Sequence, residues 1–304
     1  MNEEAHPGGM HEPVLLGEVV DLLHIRPEGL YVDGTLGLGG HAEAIVSRLS
    51  GQGKLLGLDV DPTNLVRAES RLQPFGNRTT TRRANFRGLQ GVLRGLGWNA
   101  VDGMLFDLGV SSPHLDEAER GFSFQKCGPL DMRMDPQGKK TALSLLREMS
   151  EDDLIKVLIE FGEGRFARKL SRAILHDVRQ DLIKTTRDLA DLCQRIVRKR
   201  GKTHGATRVF LALRNLVNDE LGALQELLNT APPLLSVGGR MGIIAFHSLE
   251  DRLVKVTFKT LEQEGLMGMA FRRVTKKPVQ ASQTETDRNP RARSAKLRVL
   301  ERLR

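Results

Sequence analysis

The chain has 304 residues, 39% hydrophobic and 28% charged, the balance of a soluble globular protein with room for one large domain or a domain carrying an insertion. No apolar run approaches the roughly eighteen residues of a membrane helix, residues 1–10 lack a signal-peptide core, and Cys127 and Cys193 form no C-x-x-C pair. These features argue against a transmembrane helix and a disulfide framework, give no metal motif, and lead us to expect a cytoplasmic protein. The net charge of +8 is concentrated: residues 271–304 hold eleven Lys or Arg against three acids, and the rest is neutral. Such an end fits a nucleic-acid partner, or is a solvated face.

Residues 1–10 are polar and glycine-rich and are expected to be a disordered leader. His11 to Leu16 leads into a short amphipathic helix, Gly17 to Leu23. Gly29 to His41 then reads G-L-Y-V-D-G-T-L-G-L-G-G-H. The apolar run Leu30 to Val32 ends in Asp33, and glycines follow. A helix over 41–49 puts Ala42, Ile45, Val46 and Leu49 on one face. Strand, glycine turn and helix place unpaired N–H groups beside a close-approaching ligand. Gly37-x-Gly39-x-x-Ala42 fits a dinucleotide turn, and the next strand, Lys54 to Leu58, ends in Asp59, where an acid holds ribose hydroxyls. NAD and S-adenosylmethionine both need that acid. Asp33 favours the latter, because a carboxylate suits a cationic amino acid and not a pyrophosphate.

Asp61 caps a helix starting at Pro62 and running to about Leu72. A third strand, Thr79 to Arg83, is followed by Asn85 and Phe86, the ring of which either stacks on an adenine or is ordinary core. The fourth strand, Val101 to Phe106, ends in Asp107 and runs into Leu108-Gly109-Val110-Ser111-Ser112-Pro113-His114. Asp33, Asp59, Asn85 and Asp107 thus come to one rim, where ligands of open α/β sheets bind.

From about Pro113 to Gly205 no strand is found. An irregular loop carries Asp131 to Pro136, including Arg133. Helices over 150–161, 163–178 and 185–200 follow, the last ending in Arg195, Arg198, Lys199 and Arg200. This helical block (113–205) reads as a substrate-selecting insertion, or as a lid or homodimer surface. The core is expected over 11–112 and 206–304. A long helix from Ala206 to Asn229 leads to a fifth strand, Arg240 to Phe246. At its end stands His247, a candidate substrate contact, with Ser248 and Asp251 as a capping box for the helix 249–264. Two final strands, 271–275 and 295–300, are joined by a polar loop over 280–289. A terminal hairpin on seven strands suits a methyltransferase sheet better than a dinucleotide fold.

Several blocks together are particular: H-E-P-V-L-L at 11–16, D-G-T-L-G-L-G-G-H at 33–41, D-L-G-V-S-S-P-H-L-D-x-A-E-R-G-F-S-F at 107–124, G-P-L-D-M-R-M-D-P at 128–136, F-G-E-G-R-F-A-R at 161–168, A-F-H-S-L-E-D-R at 245–252 and N-P-R-A-R-S-A-K-L-R at 289–298. Over nearly its whole length the chain resembles the bacterial 16S rRNA N4-cytosine methyltransferases. The resemblance implies an α/β class I S-adenosylmethionine-dependent methyltransferase, a seven-stranded doubly wound sheet with an all-α insertion. It implies as substrate a cytidine of the decoding centre, in 16S rRNA of the small ribosomal subunit. Carried over by position, cofactor contacts fall on Gly39, Gly40, His41, Asp59, Phe86, Asp107 and His114, beside Asp33. The family usually has glutamine at 114 and an aromatic residue at 36, where this chain has His114 and Leu36. Asp107 and Ser111 are the candidate catalytic acceptors for the amine. Ser112, Pro113, Arg133, His247, Arg291, Arg293 and Lys296 are the candidate substrate contacts. A DNA amino-methyltransferase, a non-catalytic assembly factor and a nicotinamide oxidoreductase are the rival readings.

Overall fold

A computed structural model describes residues 13–197 and 204–304. His11, Arg198, Lys199 and Arg200 lie outside the described residues, as does the leader. The strands are β1 (Leu30–Asp33), β2 (Lys54–Asp59), β3 (Thr79–Arg83), β4 (Val101–Asp107), β5 (Leu235–Ala245), β6 (Phe271–Arg273) and β7 (Lys296–Arg302). They form one sheet in the order β3-β2-β1-β4-β5-β7-β6. β1 to β5 are mutually parallel, and β7 runs antiparallel to both β5 and β6. Strand order reverses between β1 and β4, so the crevice at their carboxyl ends is the switch point of the sheet.

Both faces of the sheet are covered. Val32, Leu56 and Phe106 pack into one core with Leu224 and Phe258, whereas Tyr31, Leu55 and Leu105 pack into the other with Ala42 and Ile45. Neighbouring residues on a strand point to opposite faces, so a parallel sheet buried on both sides needs continuous apolar runs. The chain divides into two compact units, residues 1–109 with 223–304, and residues 110–222. The first holds the sheet. The second is helical, with Ser112–Asp116, Ala142–Glu148, Glu151–Glu160, Ala167–Arg179, Thr186–Val197 and Thr207–Asn218.

Several expected elements are corrected. The single helix over 206–229 is two, Thr207–Asn218 and Glu220–Thr230, broken where Asp219 adopts φ 49°. Just before the break, the Asn218 amide donates to the Met132 carbonyl at 2.8 Å and accepts from the Met134 N–H at 2.7 Å. Gly222 leaves room for the Asp219 carboxylate, as a Cβ there would lie 2.3 Å from its Oδ1. Apolar spacing continues through the break, which is why periodicity does not reveal it. The helix expected from Glu163 starts at Ala167, and Ala142–Glu148 is an addition to the expected helices. β5 starts at Leu235 rather than Arg240, with a register shift opposite Val101 and Gly103 and Gly238 at φ 75°. The polar stretch before β7 contains a short helix, Gln283–Arg288.

Candidate active site at the carboxyl ends of the strands

β1 ends in a tight turn held by the acids that end β1 and β2. Asp33 is buried, and its carboxylate accepts from the Thr35 N–H at 3.2 Å. Asp59, from the neighbouring strand, accepts from the Gly37 N–H at 2.8 Å through Oδ2. Its Oδ1 accepts from the Asp61 N–H at 2.8 Å, so one carboxylate ties the glycine turn to the β2 turn. Asp61 caps the next helix by accepting from the Thr63 N–H. Gly39 sits at φ 79°, a conformation costly to any other residue, and caps the helix Gly40–Val46. Leu36 fills the space above Gly57, where a Cβ would come within 2.7 Å of it. This chain thus closes with an aliphatic side chain a site where the family usually places an aromatic one.

The segment just before the first helix covers this turn. A Cβ on Gly40 would fall 2.4 Å from Pro13, and the buried His41 donates from Nε2 to the Val14 carbonyl at 2.9 Å. That bond puts Nδ1 on the other side of the ring, 3.8 Å from Asp107 Oδ2. Sequence reasoning does not place Val14 in the site. The available signal is the H-E-P-V block, which has no partner until the fold supplies one.

Asp107 ends β4. Its N–H donates to the Thr35 hydroxyl at 2.6 Å, locking the strand end to the glycine turn. The side chain keeps a quarter of its surface open, yet Oδ1 is buried and has no hydrogen-bond partner among the described residues. Burial raises its carboxyl well above the usual range, and Asp33 and Glu250 add to that. Burial also raises Asp33 to about 7, opposed by the Thr35 N–H and reinforced by Asp59. Phe86 packs edge-on against Phe106 with centroids 5.8 Å apart and is half-buried, so its ring belongs partly to the core. Asn85 accepts from the Arg87 N–H and starts the turn after β3. Buried acids with an unsatisfied oxygen, beside a glycine turn, fit a cofactor that carries positive charge. A bound cation would favour the ionised forms of Asp33 and Asp107, whereas a pyrophosphate would oppose them.

The cap of the helix Ser248–Glu264 differs from expectation. His247, not Ser248, is the cap. The Glu250 carboxylate accepts from the Phe246 and His247 N–H groups at 2.8 and 3.2 Å and meets His247 Nε2 at 3.0 Å. Asp251 turns instead to β7, where it pairs with Arg298 at 2.8 Å and Lys296 at 3.4 Å. Lys296 is therefore tied down, Arg291 is half-buried and Arg293 is exposed.

Ser111 to His114 lies in the second unit, at the start of a short helix. His114 Nδ1 accepts from the Ser111 N–H at 3.2 Å and lies 3.1 Å from the Ser111 hydroxyl, and its ring stacks on Phe122 at 4.8 Å. Accepting through Nδ1 leaves the hydrogen of a neutral ring on Nε2. The imidazole does here what a glutamine oxygen does in an S-x-x-Q box. Ser112 and Pro113 are buried in the first turn of that helix. Arg133 is folded back: it holds both oxygens of Asp131, at 2.7 and 2.6 Å, and donates to the Gly138 carbonyl at 2.8 Å. Sequence reasoning sees its charge but not this clasp.

Comparison with known proteins bears on the whole chain. Residues 9–303 match the MraW methylase family. Ribosomal RNA small subunit methyltransferase H of Heliobacterium modesticaldum is 43% identical over 309 residues, covering 97% of this chain and 99% of that protein. The protein of the same name from Anaeromyxobacter sp. (strain K) is 46% identical over 308 residues, covering 97% and 98%. Among solved structures, a putative rRNA-methylase from Clostridium thermocellum aligns over 96% of this chain and 100% of its own, with 12% identity and a TM-score of 0.47. The chain belongs to the MraW methylase family, and its methyl donor is S-adenosylmethionine.

Proposed function

We propose that the protein methylates the exocyclic N4 of a cytidine in the decoding centre of 16S rRNA, within the small ribosomal subunit. The observation that carries this reading is Asp107, a strand-end carboxylate with one oxygen buried and without a partner among the described residues. Relatives named ribosomal RNA small subunit methyltransferase H, at 43–46% identity over nearly the full length, support the choice of RNA.

The cofactor supplies an activated methyl group on a sulfonium. The protein's own task is positioning and proton handling. A cytosine amine is a poor nucleophile because its lone pair is delocalised into the ring. An acceptor for its N–H lets the nitrogen turn pyramidal. Asp107 Oδ1 takes that hydrogen bond and then the proton, as the N4–methyl bond forms and the bond from methyl to sulfur breaks. Ser111, four residues farther along the chain, is the second acceptor, through its hydroxyl or a carbonyl of its loop. Asp33 and the glycine turn at Gly39 and Gly40 hold the amino acid part of the cofactor, Asp59 its ribose, and Phe86 its adenine. His41 keeps Asp107 and the glycine turn in register. His114 acts by fixing the Ser111 loop. The base leaves its stack to reach the methyl. Ser112, Pro113, Arg291 and Arg293 are the RNA contacts of this scheme, whereas Arg133, Lys296 and His247 are held by Asp131, Asp251 and Glu250.

Labelled S-adenosylmethionine tests it. Small subunits lacking the modification, and naked 16S rRNA beside them, are offered to the purified protein, and the label is mapped to nucleotide and atom. Label at cytosine N4 is the expected result. Label on another atom, or none, removes the reading.

A further inference from the structure

The helix Ala167–Arg179 of the second unit has a cationic face with no assigned role. Its inner side, Ala167, Leu170, Ile174, Leu175 and Val178, is buried. Arg168, Lys169, Arg172, His176 and Arg179 are exposed. At 3.6 residues per turn these five fall within an arc of about 100°, and Arg168 to Arg179 spans about 16 Å of helix axis. Arg165, also exposed, extends the row by one position before the helix.

Little within the second unit neutralises this row. Arg168 and Lys169 have no ionic partner among the described residues. Arg172 meets Glu151 at 3.5 Å, but the two side chains are 80% and 40% exposed, a pair of small worth in water. Among the described residues Arg179 reaches only the Met149 carbonyl, at 3.4 Å. The one acid of the helix, Asp177, is half-buried and lies against His176. The basic C-terminal segment differs. There Arg272, Arg273, Lys296 and Arg298 are paired with Glu301, Glu262 and Asp251. Part of the most basic stretch of sequence is thus engaged internally, while this helix keeps its charges for an outside anion.

We propose that this helix face is a phosphate rail, along which the sugar–phosphate backbone of the substrate RNA lies. The inference rests on the rRNA reading above and names the surface that reading requires. Three features favour a polyanion over an acidic protein patch. The cations form a line rather than a cluster. Three of the four on the helix are arginines, which fork onto phosphate oxygens. The row offers no apolar anchor of the kind that centres a protein interface.

The test is the variant Arg168→Gln/Lys169→Gln/Arg172→Gln, with unmodified small subunits as ligand and KCl varied. All three side chains are exposed, so the unfolding midpoint should hold. Each lost phosphate contact lowers the salt slope of a single-stranded site by about 0.7, so the slope should fall by about 2 and affinity near 0.1 M salt by roughly tenfold or more. KM for subunits should rise, with kcat and cofactor affinity kept within about twofold. The charge-keeping variant Arg168→Lys/Arg172→Lys should restore the slope. A photoreactive side chain at position 172 should crosslink to rRNA. An unchanged slope and KM, or crosslinks to ribosomal protein alone, would overturn the rail. If the wild-type protein labels no RNA, the methylation reading falls, while the salt slope of binding still decides the rail.

Discussion

Asp107 and Asp33 show how much of the chemistry rests on single buried carboxyls. Asp107→Asn keeps the shape and removes the proton acceptor. Single-turnover methylation at saturating cofactor should fall by about 10²–10⁴-fold. If that variant turns over normally, proton transfer belongs elsewhere. Asp33 yields a pH prediction. Its carboxyl titrates near 3.8 when unfolded and about 7 when folded, so the native state binds the extra proton between those values. The stability this contributes is fully present below about pH 4 and is lost as pH rises through 7, by on the order of 4 kcal/mol. Thermal unfolding of the cofactor-free protein should show this decline, and Asp33→Asn should make it shallower, leaving the part that the raised Asp107 carboxyl contributes. A cationic cofactor reverses the effect, so its binding near pH 7 should release protons, measurable by calorimetry in buffers of different ionisation enthalpy. His114 is a change of residue with a retained duty, since its Nδ1 closes the cap that a glutamine would close.

At the scale of elements, the contact between β7 and the helix Ser248–Glu264 is set by Asp251. Burial opposes its charge, but Arg298 and Lys296 outweigh that and hold its carboxyl below the usual range. Asp251→Ala would leave the buried Arg298 uncompensated, and urea unfolding should show a loss of about 3–5 kcal/mol. Sequence reasoning assigns Asp251 to a cap, because S-x-x-D before an apolar run has that form. The structure uses His247 and Glu250 there instead. The contrast marks what was legible. β1, β2 and β4 and their terminal acids follow from apolar runs that stop at a charge, a one-dimensional signal. The first turn of helix 62–72 is equally local. The pairing of Asp251 with Arg298, the clasp of Arg133 on the Gly138 carbonyl and the Val14 carbonyl under His41 depend on how the chain folds back on itself. No spacing rule encodes them. The break at Asp219 was hidden for another reason: it changes direction without changing the apolar period.

For the whole molecule, net charge is a poor map of where charge is usable. The +8 of residues 271–304 suggested a nucleic-acid stripe, yet its cations differ in duty. Arg273→Gln breaks a contact with Glu262 and should lower the unfolding midpoint while leaving RNA affinity within about twofold. Lys276→Gln/Lys277→Gln alters two exposed cations, and should leave the midpoint alone while reducing any salt slope these lysines contribute. Equal effects of both variants on affinity would contradict this division. The insertion has a further consequence, in time rather than in space. β4 and β5 are hydrogen-bonded neighbours, yet the entire helical unit separates them in sequence. Pairing them from an unfolded chain means closing a very long loop before any contact offsets the lost entropy. Neighbouring helices of the second unit, such as Glu151–Glu160 and Ala167–Arg179, pack across short connections, so this part should form sooner. Its collapse replaces a long flexible loop by a compact body, so the sheet should finish from the insertion outward. In pulse-labelled refolding, amides of the helix 167–179 should gain protection before those of β5, and a helical unit that is slow to fold would delay the active rim as well.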